Sequence, residues 1–425
     1  MLGVVTYAIT SCVYFLCFNA ADRTMTVAPS SLTQVVLKPR KAGPFWGRHP
    51  WVLDTAIAKV EGAPADGEAA ELVTETGRWI ARGIYNSRSR IRMRLYSWNP
   101  EVSLDDALWR SRIEGAVALR RSIGFDDPQG AARLIYSEAD QLSGLIVDRY
   151  AGHLVVQPTS LAMAMRLDAI IPLLVEAVQP TSVSVKADAS IARTEGIEIP
   201  PGAPWGEPPT EAVTIVEHGL KFSLPWGEGQ KTGFYLDQRE NRREAARNMA
   251  GRRVLDVCCY TGGFSLSAVA LGGAREVLGI DASQRAVDQA TANAALNGIT
   301  SARFQVGDAF ETLEQLRNGG ERYGAVILDP PRFARKRSGI DEALRAYHRL
   351  NRQAIEVLQP DGILVTCSCS GNVSRDDFFS MLFGVGQKTR REIQVLDERG
   401  AAPDHPVSVA CPENEYLKCF ICRVR

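Results

Sequence analysis

The chain has 425 residues, 45% of them hydrophobic and 23% charged, with 49 basic residues balanced by 49 acidic ones. That is enough for two or three soluble domains and excludes a chain coated in basic charge, although a balanced total leaves room for local asymmetry. Nine cysteines, at 12, 17, 258, 259, 367, 369, 411, 419 and 422, sit mostly in apolar runs without the spacing of a disulfide scaffold, which points to a reducing, cytoplasmic setting.

Residues 1–30 read as a leader. Met1 to Ala21 holds no charged side chain, and Thr6, Thr10, Ser11 and Asn19 interrupt its apolar character. It lacks the basic start and cleavage site of a signal peptide and is a poor membrane span. The expectation is an upstream mis-called start codon, with ordinary soluble sequence from Met25 and no membrane as partner.

Residues 31–98 alternate short apolar runs with Gly43, Gly47, Gly62, Gly67, Gly77 and Gly83, the pattern of a small β barrel. Within it Arg88, Arg90, Arg92 and Arg94 recur every second residue, so an extended strand places four guanidiniums on one face. Arg78 and Arg82 have no acid nearby to neutralise them. Such a ladder repels itself unless an anion compensates it, and RNA phosphate is the expected partner. The alternative is a solvated edge strand protected by charge.

Residues 99–200 read as an α+β domain. An amphipathic helix carrying Leu104, Leu108, Ile113, Ala116 and Val117 precedes apolar runs at 134–136, 144–148 and 154–157, then a long helix from Ser160 to about Val178. Asp140, Asp148 and Arg149 read as turn and strand-end residues. Residues 201–212, with prolines at 201, 204, 208 and 209, form a semi-rigid linker. Residues 213–425 open with a hairpin around His218-Gly219, followed by Lys231-Thr-Gly-Phe-Tyr-Leu-Asp-Gln238, a segment suited to folding over a ligand.

Four acidic strand ends indicate the ligand. Val254-Leu-Asp-Val257 ends in the turn Cys258-Cys-Tyr-Thr-Gly-Gly-Phe264; Gly279-Ile-Asp281, Gly307-Asp308 and Leu328-Asp-Pro-Pro331 close the next three apolar runs. Ligands of open parallel sheets lie beyond the carboxyl ends of the strands. A single acid at such a place is ordinarily a helix cap. Four in order match S-adenosylmethionine: Asp256 for the cationic methionine end, Asp281 for the ribose hydroxyls, Asp308 for the adenine amino group. No G-x-G-x-x-G is present, and this cofactor has no pyrophosphate to need one. The expected cofactor contacts are Tyr235, Gln238, Asp256, Tyr260, Thr261, Gly262, Gly263, Phe264, Asp281, Asp308 and Pro330.

A strand at Ile363-Leu-Val-Thr-Cys-Ser-Cys369 runs beside the Asp-Pro-Pro strand, with Cys367 and Cys369 on one face and Cys369 nearer the open end. A thiolate there can act as a nucleophile. Methylation at carbon 5 of a pyrimidine needs one, because that carbon becomes enamine-like only after addition at carbon 6; Asp329 would stabilise charge at ring nitrogen 3. The alternative for Cys369 is a small buried hydrophobe. Cys419 and Cys422 have C-x-x-C spacing but lie in the final apolar strand, so no metal is expected.

Gly233-Phe-Tyr-Leu-Asp-Gln-Arg239, Tyr260-Thr-Gly-Gly-Phe264, Asp329-Pro-Pro-Arg-Phe333, Ser368-Cys-Ser-Gly371 and Asp404-His-Pro406 together resemble the bacterial large-subunit 23S ribosomal RNA 5-methylcytosine methyltransferases. Arg48-His-Pro-Trp-Val52 is similar to the start of that family's PUA RNA-binding domain, and Glu138 to Arg149 to its central domain. The resemblance implies an α/β architecture of PUA-like β barrel, central α+β domain and C-terminal class I (Rossmann-like) methyltransferase sheet, with large-subunit ribosomal RNA as partner and Cys369 as nucleophile. Cys367 departs from it as an extra thiol. The 5-methyluridine enzymes share Asp-Pro-Pro-Arg and a strand-end cysteine. An N- or O-methyltransferase, or a non-catalytic RNA-binding assembly protein, are the other readings, and a homodimer stays open.

Overall fold

The computed structural model describes residues 32–198, 204–226, 234–333 and 339–425. The leader with its start-codon reading, Cys12, Cys17, Pro201 of the linker and Lys231 to Gly233 lie outside the described residues.

Between Thr33 and Ser97 six strands pair in the order 51–53, 91–97, 79–85, 69–73, 33–37, 57–61. The two outermost strands are joined by the turn Asp54–Ala56 alone, so the sheet curls until its edges approach. Val35, Leu37, Val52, Leu72, Ile80 and Met93 fill its interior.

The four arginines do not form the single-faced ladder expected from their spacing. The strand begins only at Ile91, leaving Arg88 and Arg90 exposed in the turn before it. Arg92 is half-buried, and Arg94 is 7% exposed, its Nη1 3.2 Å from Glu138 and its Nη2 3.7 Å from Glu195. Arg94 is thus a joint to the next domain, not an RNA-facing residue. Arg82 also has a partner, Glu71 at 3.0 Å. These acids arrive from elsewhere in the chain, Glu71 from a neighbouring strand and Glu138 and Glu195 from helical turns of the next domain, which spacing along one strand cannot reveal.

The middle of the chain forms a four-stranded sheet in the order 182–185, 153–158, 145–150, 131–136. Helix Asp106–Ser122, capped by Asp105, buries Trp109, Ile113 and Ala116 against it. The helix expected from Ser160 is two, Leu161–Ala164 and Leu167–Val178. At the break Arg166 donates to Ala162 O at 2.9 Å and reaches Gly67 O in the first domain at 3.1 Å. Asp148 is no strand-end residue: it is fully buried in mid-strand and accepts from Arg133 at 2.8 and 2.9 Å. The linker is pinned to this sheet at Trp205, whose O accepts from Val183 N at 2.9 Å.

The C-terminal region opens with strands Val213–Glu217 and Leu220–Leu224, joined by a two-residue turn with positive φ at both His218 and Gly219, the turn that matches strand twist. Its main sheet has seven strands: β1 (Arg253–Val257), β2 (Glu276–Asp281), β3 (Ala302–Val306), β4 (Tyr323–Leu328), β5 (Leu358–Ser368), β6 (Ile393–Arg399) and β7 (Lys418–Val424). They lie in the order β3-β2-β1-β4-β5-β7-β6, parallel except for β7, which is antiparallel to both neighbours. The helices are α1 (Arg239–Ala246), α2 (Gly263–Ala270), α3 (Gln284–Leu296), α4 (Ala309–Asn318), α5 (Ile340–Glu356) and α6 (Arg375–Thr389).

Every residue of β4 is buried, as expected for a strand covered on both faces. Ala325 and Ile327 pack with Val254, Val365 and Ile421 on one side, while Val326 and Leu328 pack with Leu255, Leu364 and Phe420 on the other. Each such side chain contributes about 1.5–3 kcal/mol relative to exposure. The strand order reverses between β1 and β4. That reversal opens a crevice beyond their carboxyl ends, where ligands of such sheets bind.

Candidate active site

The turn after β1 forms one wall of the crevice. Cys258 and Tyr260 have φ of 64° and 49°, a left-handed backbone that costs non-glycine residues energy and clusters at functional sites. Gly262, at φ 84°, stands at the N-terminus of α2. A Cβ on Gly263 would lie 2.8 Å from Arg242 Cδ, and one on Gly279 2.5 Å from the Phe304 ring; both glycines admit neighbours that a side chain would displace. Phe264 is buried in the core beneath.

The four acids have different surroundings. Asp281 ends β2 and accepts from Tyr260 N at 2.9 Å and Ser283 N at 3.0 Å; each oxygen keeps a lone pair for a hydroxyl. Asp308 is exposed and caps α4, its Oδ1 accepting from Phe310 N and Glu311 N. The cap reading therefore accounts for part of that residue. Asp256 is fully buried, accepts from Ser265 Oγ at 2.6 Å and leaves Oδ1 without a partner. Burial pushes it up to about 7, against the Ser265 bond. Thr261 Oγ1 is likewise buried without a partner. The diol acceptor on Asp281, the unpartnered Thr261 and Asp256 oxygens and the bare glycine backbone fit S-adenosylmethionine.

Across the crevice, Tyr235 is 41% exposed and packs edge-on to Tyr260 with ring centroids 5.2 Å apart. Burial, then the charges of Tyr260 and Asp329, push the Tyr235 hydroxyl up to about 12. Gln238 is buried and donates from Nε2 to Asp329 Oδ1 at 3.0 Å, while its own carbonyl accepts from Asn241 at 2.6 Å. Its side chain holds Asp329 and is engaged with protein atoms, a role that the sequence does not suggest.

Asp329 follows β4 and Cys369 follows β5, and pairing of Leu328 with Thr366 brings the two strand ends together. Asp329 is half-buried; desolvation, reinforced by Asp237 and opposed by the Gln238 bond, pushes it up to about 7. Cys369 is half-buried, with Sγ 4.0 Å from Pro330 O. Cys367 is fully buried, directly opposite Cys419 of β7, and its thiol is pushed well up by Cys419 and by burial. It packs rather than reacts. Cys369 and Asp329 thus stand together at adjacent strand ends, with the second thiol turned into the core.

Three supports escape a linear reading. Arg242 makes two 2.7 Å bonds to Glu217 of the hairpin and a third at 3.0 Å to Tyr235 O, fastening the segment before α1 beside the glycine turn. Tyr347 of α5 lies within 3.1 Å of Ser370 Oγ and 3.0 Å of Ser368 Oγ, bracketing Cys369. Lys418 opens β7 and donates to Ser370 O at 2.7 Å. The only available signal was Lys418 standing charged at the head of an otherwise apolar run.

Among the described residues one group has metal-ligand character: His49, Cys411 and Glu413. His49 Nδ1 accepts from Trp51 N at 3.2 Å, so the neutral ring carries its proton on Nε2, which faces Glu413 at 3.3 Å. That tautomer has no lone pair toward the group, and the trio reads as a hydrogen-bonded joint.

A family model for S-adenosylmethionine-dependent methyltransferases matches residues 203–399, and one for the PUA-like domain matches residues 35–98. The fold is similar to that of a protein described as a SAM-dependent methyltransferase from Streptococcus mutans, with a TM-score of 0.77, 20% identity and coverage of 92% of this chain and 99% of that one. Another solved methyltransferase, complexed with SAH, has a TM-score of 0.79 at 20% identity, covering 92% of this chain and 99% of that one. Fold, crevice and matched models define a class I S-adenosylmethionine-dependent methyltransferase with a PUA-like domain. Ribosomal RNA large subunit methyltransferase I of Erwinia tasmaniensis is 37% identical over 379 residues, 89% of this chain and 96% of that protein. Its counterpart from Photobacterium profundum is 38% identical over 381 residues, with the same coverage. The chain belongs to the ribosomal RNA large subunit methyltransferase I family. No described helix is long and apolar enough to cross a membrane.

Proposed function

We propose that this protein methylates carbon 5 of a cytosine in large-subunit ribosomal RNA, in the cytoplasm, through a covalent adduct with Cys369. The observation that carries the reading is the meeting of a half-buried thiol and a carboxyl of raised pKa at adjacent strand ends, Sγ being 4.0 Å from the carbonyl of the residue after Asp329. The names of the relatives supply the substrate class. Asp281 would hold the ribose of S-adenosylmethionine, Asp308 its adenine and Asp256 its methionine end, with Tyr235, Tyr260, Thr261, Gly262, Gly263, Phe264 and Pro330 around it. When bound, the cofactor supplies the methyl group.

The remaining chemistry falls to the chain's own residues. The Cys369 thiolate adds to carbon 6 of the base, forming a C–S bond and making carbon 5 nucleophilic. The acid form of Asp329 donates to ring nitrogen 3, stabilising the charge that develops there. Water takes the carbon 5 proton after methylation, the C–H electron pair re-forms the carbon 5–carbon 6 double bond, and the C–S bond breaks to return the thiolate. Cytosine presents a lone pair at nitrogen 3 and uracil presents N–H, so a carboxyl held protonated near neutrality favours cytosine. Arg88 and Arg90, exposed in the turn before their strand, are the two arginines of the four that face solvent for RNA phosphate, Arg88 with Asp66 beside it at 3.9 Å.

The test incubates the enzyme with labelled S-adenosylmethionine and unmodified ribosomal RNA, then identifies methylated nucleosides by mass spectrometry beside Cys369→Ala. 5-Methylcytidine that disappears in the variant, with cofactor binding retained, is expected. 5-Methyluridine would move the base assignment, and a methylated amine surviving the substitution would overturn the covalent route.

A further inference from the structure

We propose that Lys418 is a positioning residue for the nucleophile, its buried ammonium holding the Cys369 sulfur as the thiolate. The inference rests on Cys369 being the attacking group. In register, Lys418 stands opposite Ser368, the last residue of β5, at the corner where that strand turns into Cys369. Lys418 is 2% exposed. Nζ donates to Ser370 O at 2.7 Å and Tyr416 O at 2.9 Å, carbonyls on either side of the corner. No carboxylate is within ion-pair distance of it among the described residues.

A buried ammonium whose only bonded partners are carbonyls lacks a full counter-charge and is costly to retain. Desolvation accordingly pulls Lys418 down to about 8, and the largest opposing influence is Cys369. The remaining charges at this corner do not replace that partner. Arg375 is paired with Glu415 at 2.8 Å and Glu398 at 3.0 Å, and Asp377 is bonded to Ser374 at the N-terminus of α6. Tyr235 from the segment before α1, Tyr347 from α5 and Asp329 from the end of β4 lie around Cys369 and bring no positive charge. Arg332 donates from Nε to Cys369 O at 3.2 Å but is exposed, so water screens it more than it screens Lys418. The side chain left to balance the ammonium is the thiolate. Because the coupling is reciprocal, the lysine favours loss of the thiol proton to solvent, leaving a sulfur ready to add to a base.

The experiment measures alkylation of Cys369 by iodoacetamide against pH in the full-length protein, reading the Cys369 peptide by mass spectrometry, without RNA or methyl transfer. In the wild type the midpoint is expected below the free-thiol value of about 8.5; a midpoint at or above it overturns the proposal without any variant. Lys418→Gln keeps a donor for the carbonyls but removes the charge, and should raise the midpoint by about one unit, making alkylation at pH 7 roughly tenfold slower. Lys418→Arg should restore it, and the acid limb of kcat/KM should move with the midpoint while the KM for S-adenosylmethionine stays unchanged. A Lys418→Gln midpoint equal to wild type overturns the role of the charge. Methyl transfer that survives in Cys369→Ala would instead remove the nucleophile, a failure this alkylation profile does not mimic.

Discussion

Asp329 shows most directly how surroundings turn a common side chain into a reagent. Being pushed up to about 7 by burial and by Asp237, it is a donor below that pH and a carboxylate above it. Turnover is therefore expected to fall on the alkaline side with a limb near 7, and Asp329→Asn, which cannot titrate, should lose that limb and roughly 10²–10³ in kcat. Stability has the opposite bearing. A folded-state value above the unfolded 3.8 means that Asp329 costs stability as pH rises from about 4 through 7. Thermal melts at pH 8 should find Asp329→Asn more stable than wild type; equal or lower stability would show that the carboxyl is not held under strain. The sequence marked Asp329 and Cys369 because each closes an apolar run. It placed Cys369 nearer the open end than Cys367 but left the role of the second thiol open, since both share a strand face and only the antiparallel partner β7 buries Cys367 against Cys419.

At the scale of the element, the glycine turn depends on a support from outside its own strand and helix. Arg242 on α1 and Glu217 on the hairpin are both nearly fully buried and joined by two bonds of 2.7 Å. Breaking such a pair from one side strands the other charge and costs about 3–5 kcal/mol. Arg242→Met should lose that much in urea denaturation and weaken S-adenosylmethionine binding in calorimetry, because Tyr235 O loses its donor. Adding Glu217→Gln should recover part of the stability, and simple additivity of the two would argue against direct coupling. The hairpin itself was legible from His218-Gly219 between apolar runs. Its buried ion pair was not, because a Glu in an alternating strand reads as solvent-facing until the helix that covers it is known.

At the scale of the whole molecule, Glu138 gathers the three parts of the chain. It accepts from Trp51 at 2.9 Å and Arg94 at 3.2 Å in the N-terminal sheet, from Ser143 at 2.8 Å in the middle domain, and from Asn414 at 3.2 Å near the C-terminus. Burial alone would raise its pKa, but Arg94 and the hydrogen bonds outweigh it and hold it below the usual carboxylate range. Its contribution is then present above pH 4.5 and lost as pH falls through the depressed folded value. Glu138→Ala should destabilise the protein by about 3–5 kcal/mol at pH 7, and the gap to wild type should narrow in acid; a constant gap would show that ionisation is not what matters. Apolar periodicity, glycine turns and acidic strand ends were enough by themselves to indicate the methyltransferase sheet and its cofactor crevice, because each is a local pattern with a local physical cause. The direction of each charged side chain was decided only by tertiary structure. Arg94 was drawn into a domain joint, Gln238 onto Asp329 and Lys418 onto the carbonyl of Ser370, because a buried polar or charged group is governed by partners that folding brings from elsewhere in the chain.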